Sequence, residues 1–270
     1  MEYIETFVNS FKSECTRKNY RKDIEEMFSF INKSVKDIKR IDLVNWKNSL
    51  QYLSTASQAR KVSAIKSYFS FLYENELIKE NVASKLSRPK VESKPKDSIK
   101  KEDVLEMIEV ATNPRDKAIV ALYLSTGMRV QELIDIQLKD YINDSEHLVF
   151  KTKGGKYRKV TLNNDCQKYI DDYLRVRKDG VPNLFVSNMH GCMKAQNISN
   201  TIKKLAKKIG YEGNISNHSL RATFITDIAV NHGIVMAQRM VNHSNVSTTQ
   251  RYVRGIEEQA QEIMAQITLI

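Results

Sequence analysis

Four short segments of the sequence carry side chains suited to phosphoryl transfer. They span residues 127–129, 153–156, 218–221 and 243–252. A guanidinium stays charged and forks onto two phosphate oxygens, and a phenol becomes a usable nucleophile beside positive charge. Lysine and histidine can move protons to and from the reacting oxygens. The combination predicts a site that cuts a phosphodiester without a metal ion.

Six residues in these segments are the candidate catalytic groups: Arg129, Lys153, His218, Arg221, His243 and Tyr252. The arginines would balance the extra negative charge of the transition state. His218 and Arg221 stand three positions apart and share a helical face, where they could hold one phosphate. Simpler explanations also fit: Arg129 could pair with Glu132 at the surface, and Lys153 could be a charged turn residue.

The remaining roles follow from side-chain chemistry. Lys153 lies in a glycine-rich turn that would let it reach and protonate a departing oxygen. His243 would donate a hydrogen bond to a non-bridging phosphate oxygen. Tyr252 would attack the phosphorus atom, although packing on an amphipathic helix is the alternative for it, as for most of the 12 tyrosines.

The composition is that of a basic globular protein. The chain has 270 residues, 41% of them hydrophobic, a net charge of +11 and a pI of about 9.4. Such a surplus favours polyanions, of which nucleic acid is the commonest, although a basic protein without that partner fits the charge as well. No segment approaches the roughly 20 apolar residues of a membrane span.

Cysteines, histidines and acidic residues do not form a metal-binding pattern. Cys15, Cys166 and Cys192 are isolated, and the histidines and cysteines lack paired ligand spacing. Residues 1–5 are acidic rather than basic, so they do not resemble a secretory signal. We therefore expect a cytoplasmic protein that uses no metal and no other cofactor.

Residues 88–98 form a polar segment with two of the four prolines, and we predict that it is a linker. It divides the chain into an N-terminal domain, residues 1–87, and a C-terminal domain, residues 99–270. Hydrophobic periodicity near 3.6 residues dominates both parts, with one pair of short strands in the second. The predicted fold class is therefore mainly α with a small antiparallel β-hairpin.

The N-terminal domain is predicted to be a helical bundle. Thr16 would cap the first long helix, and residues 37–53 and 57–73 would form two more. The basic residues of the last helix are expected on or near its outer face. They are Arg60, Lys61 and Lys66.

The C-terminal domain is predicted to place a β-hairpin among helices. Helices are expected over residues 98–110, over 115–125 with a stop at Gly127, and again from Val130. Residues 147–150 and 157–162 read as the strands of the hairpin. Several helices follow between residues 165 and 240, and a tail helix over 256–268 carries an apolar stripe.

The motifs resemble those of the tyrosine recombinase (phage integrase) family, in the order of that family. Residues 125–133 resemble its first arginine box, 153–160 its β-hairpin lysine motif, and 218–221 its H-x-L-R box. Residues 241–252 are similar to the segment that carries its final histidine and its nucleophile. Residues 57–69 resemble a helix of its SAM-like core-binding domain, so the resemblance covers essentially the whole chain.

This resemblance implies a role for each candidate residue. Tyr252 would attack the scissile phosphate and become joined to the DNA 3′ phosphate, while Lys153 protonates the departing 5′ oxygen. Arg129 and Arg221 would clamp the non-bridging oxygens, and His218 would assist proton transfer from the tyrosine. The reaction conserves bond energy, so neither ATP nor a metal is implied.

The resemblance also implies supporting groups and partners. His243 would hold the phosphate. Glu132 would stabilise the active site without contacting the phosphate itself. The N-terminal domain would clamp double-stranded DNA. Its candidate contacts are Arg17, Lys18, Arg21, Arg60, Lys61 and Lys66. Four protomers would exchange strands through a Holliday junction, starting from free monomers and with a possible accessory directionality factor.

Two rival functions remain open at this point. A type IB topoisomerase uses similar chemistry, and a DNA-binding protein with a decayed site would share the fold. Two departures from the family pattern, Ala222 and Asn242, remove no catalytic group. The resemblance does not separate integration, excision and dimer resolution, nor docking of the 256–268 helix on its own domain from docking on a neighbouring protomer.

Overall fold

The computed structural model describes residues 3–91, 98–142, 144–152, 155–188 and 191–241. The chain divides into two compact units, Met1–Ser93 and Lys94–Ile270, each with its own hydrophobic core. Both units are mainly helical, which confirms the predicted fold class. None of the described helices is long and apolar enough to cross a membrane.

The described part of the N-terminal unit consists of helices joined by short loops. They are α1 (Ile4–Asn9), α2 (Glu14–Ile31), α3 (Arg40–Ser49), a 3-10 turn (Leu50–Tyr52) and α4 (Thr55–Glu74). Helix α2 begins before the predicted cap at Thr16. The cap is Ser13, whose hydroxyl accepts a hydrogen bond from the Thr16 N–H at 3.3 Å.

An aromatic cluster joins α1, α2 and α4. The Phe7 ring stacks on Tyr20 with 6.2 Å between centroids and meets Tyr68 edge-on at 5.4 Å. Trp46 of α3 is buried in the same core. Because each ring removes a large apolar area from water, the cluster determines how these helices pack.

Glu76 follows α4 in a backbone conformation that glutamate rarely adopts. Its φ is +57°, and the Leu77 N–H donates to the Leu72 carbonyl at 2.9 Å, a helix ending that favours glycine. We expect Glu76→Gly to raise the free energy of unfolding, measured in urea, by about 0.5–1 kcal/mol because the left-handed strain disappears. Glu74→Gly, in the last turn of α4, is the control and should destabilise by about 1 kcal/mol. Equal losses from both substitutions would contradict the strain at Glu76.

The C-terminal unit combines helices with a two-stranded sheet. Its described elements are α5 (Lys101–Val110), α6 (Pro114–Thr126), α7 (Val130–Asp135), α8 (Leu138–Ile142), β1 (His147–Lys151), β2 (Tyr157–Thr161), α9 (Asn164–Val176), α10 (Ala195–Lys208), α11 (Asn217–His232) and α12 (Ile234–Met240). Helix α6 is the buried centre and packs against α5, α9 and α11. Its end at Gly127 is confirmed, whereas α5 begins three residues later than the predicted start at Ser98.

The β-hairpin has the predicted antiparallel form. His147 lies opposite Thr161 and Lys151 opposite Tyr157, so each strand differs from its predicted span by one residue. Alternate positions of β1 are buried, and alternate positions of β2 are half-buried. This alternation gives the hairpin one face turned towards the core and one towards solvent.

Candidate active site

The turn after α6 positions Arg129. Gly127 ends the helix in the left-handed conformation with φ +56°, and its N–H donates to the Tyr123 carbonyl at 2.9 Å. A Cβ at this position would overlap the Phe224 ring of α11. Backbone and space therefore both require glycine here, and Arg129 follows as the first residue beyond the turn, directly before α7.

Arg129 and Glu132 form a closed pair at the start of α7. The Arg129 N–H donates to Glu132 Oε2 at 2.7 Å, and its Nη1 donates to Oε1 at 2.8 Å. The Glu132 side chain is 4% exposed, whereas that of Arg129 is 32% exposed. The pairing of Arg129 with Glu132 is therefore present, but it is not wholly at the surface: a buried carboxylate orients a guanidinium that still reaches solvent.

Arg221 ties α11 to the same turn. It is 3% exposed, and its Nη1 donates to the Gly127 carbonyl. Its Nη2 donates to the carbonyl of Val241, just beyond α12, at 3.3 Å. These bonds fix Arg221 between the turn that precedes Arg129 and the point where the chain enters residues 242–252.

His218 lies in the first turn of α11. Ser216 caps this helix, and its hydroxyl accepts a hydrogen bond from the His218 N–H at 3.2 Å. His218 is exposed, whereas Arg221, one turn later in the same helix, is buried. The predicted spacing on one helix is confirmed, and the two residues differ in their access to solvent.

Hydrogen bonds close the hairpin turn on both sides of its tip. The Thr152 N–H donates to the Lys156 carbonyl at 2.7 Å, and the Gly155 N–H donates to the Thr152 carbonyl at 3.0 Å. Four predicted features lie outside the described residues: Lys153, His243, Tyr252 and the tail helix at 256–268. Their roles stay predictions.

Arg158 is a cation beside the site that sequence reasoning missed. Its Nη2 donates to the carbonyl of Thr126, the last residue of α6, at 3.1 Å. Burial lowers the pKa of Arg158 to about 10, with Glu132 opposing this shift and Arg129 adding to it. The available signal was the two-residue alternation of β2, which turns Arg158 inward.

Five of the six predicted DNA contacts in the N-terminal unit have partners within that unit, beginning with Arg21 and Lys66. Arg21 makes two bonds to the Glu5 carboxylate, at 2.7 and 2.6 Å. Lys66 donates to the carbonyls of Ser84 and Leu86 at 2.8 and 3.0 Å. Lys66 therefore holds the segment after α4 against that helix.

Arg60 and Lys61 pair with carboxylates of α2. Both contact Asp23, which is fully buried, and Lys61 also contacts Glu26. Burial acts to lower the pKa of Lys61, but bonds to Glu26 and Asp23 outweigh it and the pKa is raised. Lys61 is 6% exposed, so the expectation of an outer-face position is wrong for it: its ammonium pairs with carboxylates of α2 inside the unit.

Other cations face solvent. Lys18 is exposed on α2, while Arg17 is half-buried with its Nη2 3.4 Å from the Lys12 carbonyl. Helix α10 buries an apolar face and exposes a lysine face that sequence reasoning did not single out. Its exposed lysines are Lys203, Lys204, Lys207 and Lys208.

Two family models match this chain. The model of the phage integrase family matches residues 97–259, more than half of the sequence. The model of the phage integrase N-terminal SAM-like domain matches residues 2–76. These ranges follow the two compact units and include all six candidate catalytic residues.

Curated relatives and solved structures agree with the family models. Tyrosine recombinase XerC of Caldanaerobacter subterraneus subsp. tengcongensis is 32% identical, over 96% of this chain and 84% of its own. Tyrosine recombinase XerA of Pyrococcus horikoshii is 33% identical, over 77% of this chain and 73% of its own. A lambda integrase dimer bound to a COC′ core site, residues 75–356, shares the fold, with a TM-score of 0.76 at 15% identity over 93% and 92% of the chains.

The family resemblance inferred from four motifs is therefore confirmed along both units of the chain. The arginine turn, the hairpin and the H-x-L-R helix occur in the described structure in that order. This chain belongs to the phage integrase family and is a tyrosine recombinase, an enzyme of site-specific recombination that cuts and rejoins DNA.

Proposed function

We propose that Tyr252 of this recombinase cuts one DNA strand and holds it as a 3′-phosphotyrosyl ester. The observation that carries the proposal is the attachment of two arginines to one turn. Arg129 follows Gly127 by two residues, and Arg221 donates to the Gly127 carbonyl. Two guanidiniums at one turn suit the non-bridging oxygens of a single phosphate.

The proposed cleavage step exchanges one phosphate ester bond for another. The Tyr252 oxygen forms a bond to phosphorus while the bond from phosphorus to the 5′ oxygen breaks. His218 receives the tyrosine proton, and the Lys153 ammonium gives a proton to the 5′ oxygen, so a 5′ hydroxyl leaves. His243 donates a hydrogen bond to the phosphate. Rejoining is the reverse step with a 5′ hydroxyl from another strand.

Glu132 supports this step without touching the phosphate. It holds Arg129 through the backbone N–H and through one guanidinium nitrogen. Within the described part of the chain, the remaining guanidinium donors of Arg129 have no partner and can bind an anion. Since both groups of the pair are fixed before DNA arrives, little orientational entropy remains to be lost on binding.

The DNA contacts of this proposal come from exposed cations in each unit. We assign phosphate contacts to the lysine face of α10, formed by Lys203, Lys204, Lys207 and Lys208, and to Lys18 of α2. Arg17, Arg21, Arg60 and Lys66 remain secondary candidates, since each has a partner within its own unit. Lys61 is not assigned, because its ammonium is buried between two carboxylates.

The assembly is proposed from relatives. A lambda integrase tetramer bound to a Holliday junction shares this fold with a TM-score of 0.75. We propose that this chain, monomeric when free, acts as a tetramer on two DNA sites joined through such a junction. Residues 88–98 would link the two domains around the duplex, and an accessory factor would set direction. Because the substrate is DNA, the proposed location is the cytoplasm.

A nicked duplex tests the proposed cleavage directly. Wild-type protein is incubated with nicked duplexes drawn from DNA that flanks the gene, in buffer containing EDTA. We expect a covalent protein–DNA band that withstands denaturation. The short fragment between the cleavage site and the nick diffuses away with its 5′ hydroxyl, so the strand cannot be rejoined. Binding without a covalent band on any of these duplexes, or a band only with added metal, would contradict the proposal. Relaxation of supercoils without site preference would favour a topoisomerase instead.

A further inference from the structure

Arg158 links two parts of the site that lie far apart in sequence. It stands on β2 directly opposite Phe150 of β1, and its guanidinium carbon lies 5.6 Å from the centre of the Phe150 ring. A guanidinium over an aromatic face is attracted by the ring electrons. The stacking holds the Arg158 side chain on the inner face of the hairpin. From there its guanidinium extends beyond the sheet.

The far end of this side chain contacts the C-terminus of α6. Its Nη2 donates to the Thr126 carbonyl at 3.1 Å. The last carbonyls of a helix lack partners within the helix, and the negative end of the helix dipole favours a cation there. Thr126 directly precedes Gly127, so this one bond joins the hairpin to the turn that positions Arg129.

The rest of the Arg158 guanidinium does not serve stability. Its Nη1 is buried and has no hydrogen-bond partner among the described residues. A buried donor without a partner costs about 1–3 kcal/mol. The nearby positive charge of Arg129 adds to that cost, while Glu132 offsets part of it. The bond to Thr126 and the stacking on Phe150 are therefore what arginine supplies at this position, at the cost of one buried donor without a partner.

We infer that Arg158 is a positioning residue for DNA cleavage, which fixes the hairpin carrying Lys153 against the turn carrying Arg129. The inference rests on the proposed function, in which Lys153 protonates the leaving oxygen and Arg129 holds the phosphate. A lysine on a hairpin turn protonates efficiently only when that turn is held at the correct distance from the bound phosphate. The bond from Arg158 to Thr126 joins the strand that follows this turn to the last residue of α6, next to the turn that carries Arg129.

A change of leaving group separates this role from simple packing. A 5′-bridging sulfur leaves as a thiolate, whose conjugate acid has a pKa of about 8.5, so it needs no proton from lysine. The variants are Arg158→Lys, which keeps the charge but loses the fork, and Arg158→Met, which keeps only an unbranched apolar stem. Lys159→Met is the matched control, since Lys159 is the next residue on β2 and its side chain is 58% exposed.

The measurement is the single-turnover rate of covalent-complex formation on a nicked duplex with a 5′ oxygen or a 5′ sulfur. For Arg158→Lys we expect about a 100-fold loss with oxygen. With sulfur its rate should return to within a few-fold of wild type, while DNA affinity stays unchanged. Lys159→Met should match wild type on both substrates. Thermal unfolding identifies any variant that has lost its fold. If Arg158→Met is unfolded, Arg158→Lys alone provides the test.

Two results would overturn the inference. If Arg158→Lys cleaves the oxygen substrate at the wild-type rate, Arg158 has only a packing role. If Arg158→Lys loses the same factor on both substrates, Arg158 affects the bound phosphate rather than the position of the hairpin. Lys153→Ala is run in parallel to test the foundation. If sulfur does not rescue Lys153→Ala, the proposed function is wrong about the general acid. If sulfur rescues Lys153→Ala but not Arg158→Lys, only the inference about Arg158 fails.

Discussion

Replacing Tyr252 with phenylalanine is expected to abolish the covalent protein–DNA complex while leaving DNA binding intact. The substitution removes one oxygen, which is the atom proposed to bond to phosphorus, and keeps the aromatic ring. Binding depends mainly on lysine and arginine contacts to the phosphate backbone, so the dissociation constant should change little. The measurement is a denaturing gel of the nicked-duplex reaction beside a binding titration.

Burial makes three other tyrosines poor substitutes for Tyr252. Burial raises the pKa of Tyr68 to about 12 and the pKa values of Tyr123 and Tyr141 further still. A buried phenol with a raised pKa is both inaccessible to DNA and a weak nucleophile. Tyr157 is different, because it is 72% exposed on β2, next to the hairpin turn.

Tyr157→Phe is therefore the control for the Tyr252 experiment. It removes the same atom from an exposed phenol on the hairpin and should form the covalent complex at the wild-type rate. Persistence of the complex in Tyr252→Phe would disprove the assignment of the nucleophile. A complex lost in Tyr157→Phe and retained in Tyr252→Phe would transfer the role to the hairpin tyrosine.

Gly127→Ala is expected to lower the free energy of unfolding by about 3 kcal/mol and to suppress cleavage. Two causes combine at this position. The φ of +56° disfavours any side chain, and the new Cβ would overlap the Phe224 ring. Relief of that overlap requires the turn or α11 to move, and either movement breaks the bond from Arg221 to the Gly127 carbonyl.

Gly210→Ala separates the two causes. Gly210 has a similar φ of +72°, but a Cβ there would meet nothing within 4 Å. This control should lose only about 1 kcal/mol, the cost of backbone strain, and should cleave normally. Urea unfolding and the nicked-duplex assay provide both measurements. Equal stability losses in the two variants would show that the contact with Phe224 is unimportant.

The predictions from sequence succeeded where the signal is local in the chain. A glycine stop ends α6 at the predicted position because the left-handed turn depends on a single residue. The hairpin strands follow from alternation over five residues each, and the catalytic motifs are contiguous segments. The cap of α2 was predicted at Thr16 but is Ser13, three positions earlier, because both residue types suit the role.

The sequence by itself determined the helical class, the motif order and the residue types available for phosphoryl transfer. Only the tertiary structure decided which cations are free to act. Lys61 lies on a helix whose pattern suggests an outer face, yet its ammonium meets Asp23, 38 positions away. Arg221 reaches a carbonyl 94 positions away, and Arg158 one 32 positions away. The physical reason is that a charge is neutralised or oriented by whatever packing brings near it, and neighbours in space leave no trace in local sequence periodicity.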